Sequence, residues 1–88
     1  MIYRLKLHKD VDKFLDKCRE KQRETIKEKL TLLRKNPRFN PLLDIKPLQG
    51  SDFYRLRVGQ YRLIYEIKDD ELLIFVMTMG NRGDVYKK

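Results

Sequence analysis

Phe53-Tyr54-Arg55-Leu56-Arg57-Val58-Gly59-Gln60-Tyr61-Arg62-Leu63-Ile64-Tyr65-Glu66-Ile67 decides the fold. On the first half Tyr54, Leu56 and Val58 alternate with Arg55 and Arg57, the period of a strand with one apolar face. Gly59-Gln60 interrupts the run, and glycine at the first position of a two-residue loop suits a type II′ hairpin turn. Residues 61–67 resume the alternation, with Tyr61 and Tyr65 expected on the inward face. Residues 53–58 and 61–67 therefore predict an antiparallel hairpin.

Downstream, Asp69-Asp70 marks a turn. Residues 72–79 form the most apolar run, expected to be the best-buried strand, with Met77 and Met79 as packing residues. Gly80-Asn81-Arg82-Gly83-Asp84 then breaks the pattern. Upstream, residues 37–50 carry Pro37, Pro41 and Pro47. Each fixes its own φ and restricts the residue before it, which predicts a stiff, mostly irregular connection. Before that the period is helical. Val11, Phe14, Leu15 and Cys18 form one apolar stripe, and Ile26, Leu30 and Leu33 a second that stops at Asn36-Pro37. Residues 19–23 are polar and are expected to hold the junction of a helical hairpin. Residues 2–7 alternate again, with Tyr3, Leu5 and Leu7 inward. The expected order is β-α-α-β-β-β, an α+β domain in which a helical hairpin packs on a largely antiparallel sheet. It occupies residues 1–88 as a single domain.

Twenty-one Lys+Arg against 13 Asp+Glu give a net charge of +8. That balance calls for an acidic or polyanionic partner: nucleic acid, an acidic protein or an anionic membrane surface. One cysteine, Cys18, excludes an internal disulfide framework. With neither a signal-peptide pattern nor an 18-residue apolar run, the expected location is the cytoplasm, without a membrane. Cys and His do not cluster, so no metal or other cofactor is expected.

The stretch 48–67, with its tyrosine–arginine pair Tyr61-Arg62 followed by two apolar residues and Tyr65, resembles the central segment of the RelE/ParE toxin superfamily. Thr78-Met79-Gly80-Asn81-Arg82-Gly83-Asp84-Val85-Tyr86 resembles its last strand and tail. The resemblance, nearest to RelE-like members, implies the toxin of a type II toxin–antitoxin system, a ribosome-dependent endoribonuclease that cleaves mRNA in the decoding site. ParE-like relatives inhibit DNA gyrase instead, and others are independent ribonucleases with an added acid and histidine. Partners implied are an acidic antitoxin, the ribosome with its message, and operator DNA only through the antitoxin complex. The alternatives are a gyrase inhibitor or a catalytically degenerate nucleic-acid-binding member.

By the same resemblance the catalytic residues are Arg57, Arg62, Arg82 and Tyr86, with Arg55 among the RNA contacts. The residues support part of this independently. Arg55 and Arg57 lie two apart on one strand face, about 6–7 Å along it, and Arg62 sits just across the turn. Guanidinium groups bind phosphate oxygens with paired donors and can neutralise the charge that develops during 2′-hydroxyl attack. Many RelE-like toxins carry lysine at the Arg55 and Arg57 positions. Arginine stays charged, so Arg57 is an electrostatic group and the proton acceptor is unassigned. His8, at the first strand–helix junction, is on the wrong segment for that role. Against the functional reading stands a solvated basic sheet face. Lys9, Lys13, Lys17 and Lys21 on the helices are expected to make dispersed phosphate contacts with RNA.

Overall fold

The computed structural model describes residues 2–81. Strand β1 (Arg4–Leu7) leads into helices α1 (Lys9–Lys17) and α2 (Glu20–Lys35). Then come β2 (Asp44–Pro47), β3 (Phe53–Val58), β4 (Tyr61–Lys68), a 3-10 turn at Asp69–Glu71, and β5 (Leu73–Asn81). The sheet runs β1-β5-β4-β3-β2. β1 is parallel to β5, and the other pairs are antiparallel. The expected α+β arrangement of helices on a largely antiparallel sheet is what forms.

Two local expectations are corrected. Residues 37–50 are not irregular throughout, because β2 pairs with β3 at the sheet edge. Only Ile45 of its four residues packs on the core, too little to register as alternation. Pro47 is tolerated because an edge strand has a side that needs no donor. The helix junction is narrower than residues 19–23, since α2 already begins at Glu20. Arg23 explains why: its Nε donates to the Leu15 carbonyl (3.2 Å) and its guanidinium to the Cys18 carbonyl (3.1 Å). The carbonyls orphaned at the end of α1 thus find donors on the first turns of α2.

Val11 and Leu15 of α1 and Ile26, Leu30 and Leu33 of α2 meet Leu56, Val58, Leu63, Tyr65, Ile74, Val76 and Met79 of the sheet in one core. β4 is the central strand. The more apolar β5 lies one place off centre, although its Ile74 and Val76 are fully buried. Tyr65 is fully buried too and donates its hydroxyl to the Pro37 carbonyl at 2.6 Å. Burial pushes that phenol's pKa up, so it remains a donor. At the hairpin Gly59 has φ +60°, and Gln60 is not among the positive-φ residues. A positive φ at the first turn position alone is the type II′ pattern.

At the opposite end from that hairpin, the Arg38 guanidinium makes paired hydrogen bonds to Asp69 (2.6 and 3.1 Å), and the Tyr3 hydroxyl donates to the same carboxylate (2.7 Å). The cluster ties the residue before β1, the α2–β2 connection and the 3-10 turn together. Arg38, then Tyr3, hold the Asp69 pKa below the ordinary carboxylate value. A depressed carboxylate stabilises the fold above its unfolded pKa of about 3.9, and that contribution is lost as pH falls through the lower folded value. Urea titrations of the wild type and Asp69→Asn should therefore differ at pH 6 and converge towards pH 2.5. A gap that stays constant over this range would exclude the ionised carboxylate as its cause.

Among the described residues, no helix is long and apolar enough to cross a membrane, and no group of three His, Cys, Asp or Glu side chains is placed to hold a metal.

Candidate functional site

Among the described residues, the helices pack on one face of the sheet. Tyr54, Leu56 and Val58 of β3 turn towards them, so alternation puts Arg55 and Arg57 on the opposite face. Register completes the row: Arg57 lies directly across from Arg62, and Arg62 across from Gly80. Directly opposed residues have Cβ atoms about 4.5–5.5 Å apart, and like charges so placed repel. Gly80 puts no side chain beside Arg62 on the third strand. Arg57 is exposed and Arg62 half-buried. Two guanidiniums brought together at the hairpin end of the sheet form a site for an anion with several oxygens.

Arg55 lies on the same face, one row inwards, but in a different setting. It is only 8% exposed. Its guanidinium donates to Asp44 Oδ1 at 2.6 Å, and its Nε makes no hydrogen bond among the described residues. Asp44 also lies directly across from Arg57, which makes it the one carboxylate on β2 beside the row. Sequence reading missed Asp44 because it missed β2. An Asp three residues before Pro47, another edge-type residue, was the only available signal.

The helical lysines do not join this surface as a group. Lys9, Lys13, Lys17 and Lys21 are all exposed, but their helices lie across the sheet from Arg57 and Arg62. Asp10, Asp12 and Asp16 interleave the first three. Lys17 and Lys21 flank the α1–α2 junction and reach the same end of the molecule as the arginine row, where Lys21 shares a cavity wall with Gly59 and Gln60. Arg82 and Tyr86 lie outside the described residues. His8 caps α1, with Nδ1 accepting from the Asp10 amide at 3.0 Å, and is remote from the row.

Residues 2–86 match the family described as ParE toxin of type II toxin–antitoxin system, parDE. The mRNA interferase toxin RelE of Escherichia coli K12 is 34% identical over 71 residues, covering 75% of this chain and 70% of that protein. Among solved structures, the archaeal RelE–RelB complex from Pyrococcus horikoshii OT3 superposes with a TM-score of 0.84 at 31% identity, covering 96% of this chain and 99% of that one. The isolated E. coli RelE toxin gives 0.77 at 29% identity, covering 96% and 90%.

Proposed function

The chain belongs to the RelE/ParE toxin superfamily and is RelE-like within it, and from that premise we propose that it is a ribosome-dependent endoribonuclease that cleaves mRNA in the decoding site. The observation that carries the proposal is the Arg57–Arg62 pair, directly opposed on the sheet face away from the helices. Two guanidiniums side by side offer paired donors to the oxygens of a phosphodiester.

In the proposed reaction the 2′-hydroxyl attacks its own 3′-phosphorus, the P–O5′ bond breaks, and a 2′,3′-cyclic phosphate and a 5′-hydroxyl form. Arg57 and Arg62 neutralise the equatorial oxygens of the pentacoordinate phosphorane, where negative charge increases. Arg82 is proposed at the same phosphate, and Tyr86 at the flanking base or the 2′-hydroxyl. Both remain roles drawn from the resemblance. Arg55, buried against Asp44, is better suited to orienting the row than to meeting RNA directly. No described side chain beside the row is a natural proton acceptor except Asp44. Dependence on the ribosome fits a site that supplies charge but few proton-transfer groups.

Relatives have been solved with the antitoxin RelB. We extend that partnership to this chain: an acidic antitoxin would neutralise the +8 surface and hold the toxin inactive in the cytoplasm, with operator DNA contacted through the complex. Gyrase inhibition is the second reading, favoured by the parDE description of the matched family. It gives the opposed arginines no chemical task.

The test incubates the protein with programmed 70S ribosomes whose decoding site is empty and maps message ends by primer extension, with free message as control. Cleavage on the ribosome alone is expected, and it should be lost in Arg82→Ala and weakened in Tyr86→Phe. Cleavage of free message would make it an independent ribonuclease. No cleavage by folded protein in either case would reject the proposal and direct attention to gyrase supercoiling.

A further inference from the structure

Two cavities open on the helix side of the β3–β4 turn, behind the arginine row. The larger, about 490 Å³, lies between the start of α2 and the turn, and the smaller, about 260 Å³, lies between the end of α1 and β5. Both are bordered by Arg19, Gln22 and Tyr61, so they are neighbours around a shared wall. That wall is fixed: the Tyr61 hydroxyl donates to Gln22 Oε1 at 3.0 Å, and its ring meets Phe14 edge-on at 5.7 Å.

Their chemistry differs from that of the surrounding helix surface. α1 and α2 carry Asp10, Asp12, Asp16, Glu20, Glu24 and Glu28, yet no carboxylate is among the described residues lining either cavity. The charged lining groups are Lys17, Arg19 and Lys21. The larger cavity has an apolar floor, where Ile26 and Val58 are at most 7% exposed, and a rim that includes the side-chain amides of Gln22 and Gln60.

We infer that this groove is a second RNA subsite, holding a nucleotide that flanks the one whose phosphate lies at Arg57 and Arg62. The inference rests on the RNA reading of the arginine row and extends it. A volume of a few hundred Å³ is that of a small-ligand site. An apolar floor beside an aromatic ring takes the faces of a base. Gln amides pair with base edges, and guanidinium and ammonium groups take the phosphates. A purely acidic peptide segment would satisfy the cations but place no flat ring on the apolar floor beside Tyr61. Continuity also favours RNA. The pair Val58–Tyr61 is the next along the hairpin from Arg57–Arg62, so one strand crossing the ridge at Gly59, which carries no side chain, joins the two sites.

The test uses nuclear magnetic resonance of the full chain, titrated with a 2′-O-methyl hexanucleotide and, separately, with a 2′-O-methyl dinucleotide, neither of which can be cleaved. Both should shift the Arg57 and Arg62 amides. Only the hexanucleotide should also shift Gln22, Thr25 and Ile26 on α2. In Arg19→Gln the α2 shifts should shrink and hexanucleotide affinity should fall about threefold, the loss expected for one exposed charge contact. Dinucleotide affinity should not change. A hexanucleotide that shifts the row alone overturns the second subsite and leaves the proposed function standing. If neither oligonucleotide shifts the row or α2, the second subsite is overturned, and the proposed function is decided separately by cleavage on programmed ribosomes. An Asp/Glu-rich peptide that expels the hexanucleotide from α2 but not from the row would assign the groove to an acidic protein and overturn the inference.

Discussion

Arg62→Ala is expected to slow message cleavage on the ribosome by about 10²–10³-fold, the effect of removing one preorganised donor from a site where charge develops. Arg62 stands between Arg57 on β3 and Gly80 on β5, on the central strand of the sheet, and so its backbone has little freedom to reposition. Rigid placement is what makes a donor count more in the transition state than in the ground state. Arg62→Lys keeps the charge but loses the planar fork, so it should recover only part of the rate. Single-turnover cleavage on saturating programmed ribosomes separates this from weaker docking. An Arg62→Ala protein that folds normally and cleaves at more than a tenth of the wild-type rate would remove Arg62 from the chemistry.

Leu63→Ala should cost about 2–5 kcal/mol of stability. Leu63 is fully buried on the same central strand, opposite Leu56 on one side and Met79 on the other. Fixed strands on both sides limit how far the hole can collapse, which is the condition for the upper part of that range. A domain this small buries a modest fraction of its surface, so the loss is a large share of its stability. Urea unfolding measures it directly. A loss under 1 kcal/mol would mean that the sheet and helices close around the vacancy. Antitoxin binding should raise the midpoint of the variant, because a ligand of the folded state stabilises by mass action.

The features legible in the sequence are those set by a local period. The β3–β4 hairpin follows from alternation about Gly59-Gln60, and α1 from the stripe Val11, Phe14, Leu15 and Cys18. What escaped depends on contacts between distant residues. β2 buries a single good core side chain, Ile45, and contains a proline, so its pairing is imposed by β3 rather than announced by its own pattern. The early start of α2 depends on Arg23 reaching back to the carbonyls of Leu15 and Cys18. At the site, alternation correctly puts Arg55, Arg57 and Arg62 on one face. It does not separate exposed Arg57 from buried Arg55, which donates to Asp44 on the unread strand. The helical lysines show the same limit, since a helical stripe says which side of a helix is solvated but not which side of the sheet that helix covers.

The parallel pairing of β1 with β5 joins Arg4 to Leu73 and Leu7 to Val76. Contacts between such distant parts of a chain close late and slowly in folding. During synthesis, the first strand must wait for almost the whole described sequence to emerge before its partner exists. β5 also carries Gly80 and flanks Arg62, so the phosphate row is incomplete until that strand docks. A nascent or prematurely ended chain therefore lacks the finished row and exposes the β4 edge that β5 would cover, an edge open to mispairing with other chains. The order of strands along the chain delays assembly of the proposed RNA site until nearly all of the described chain has been made.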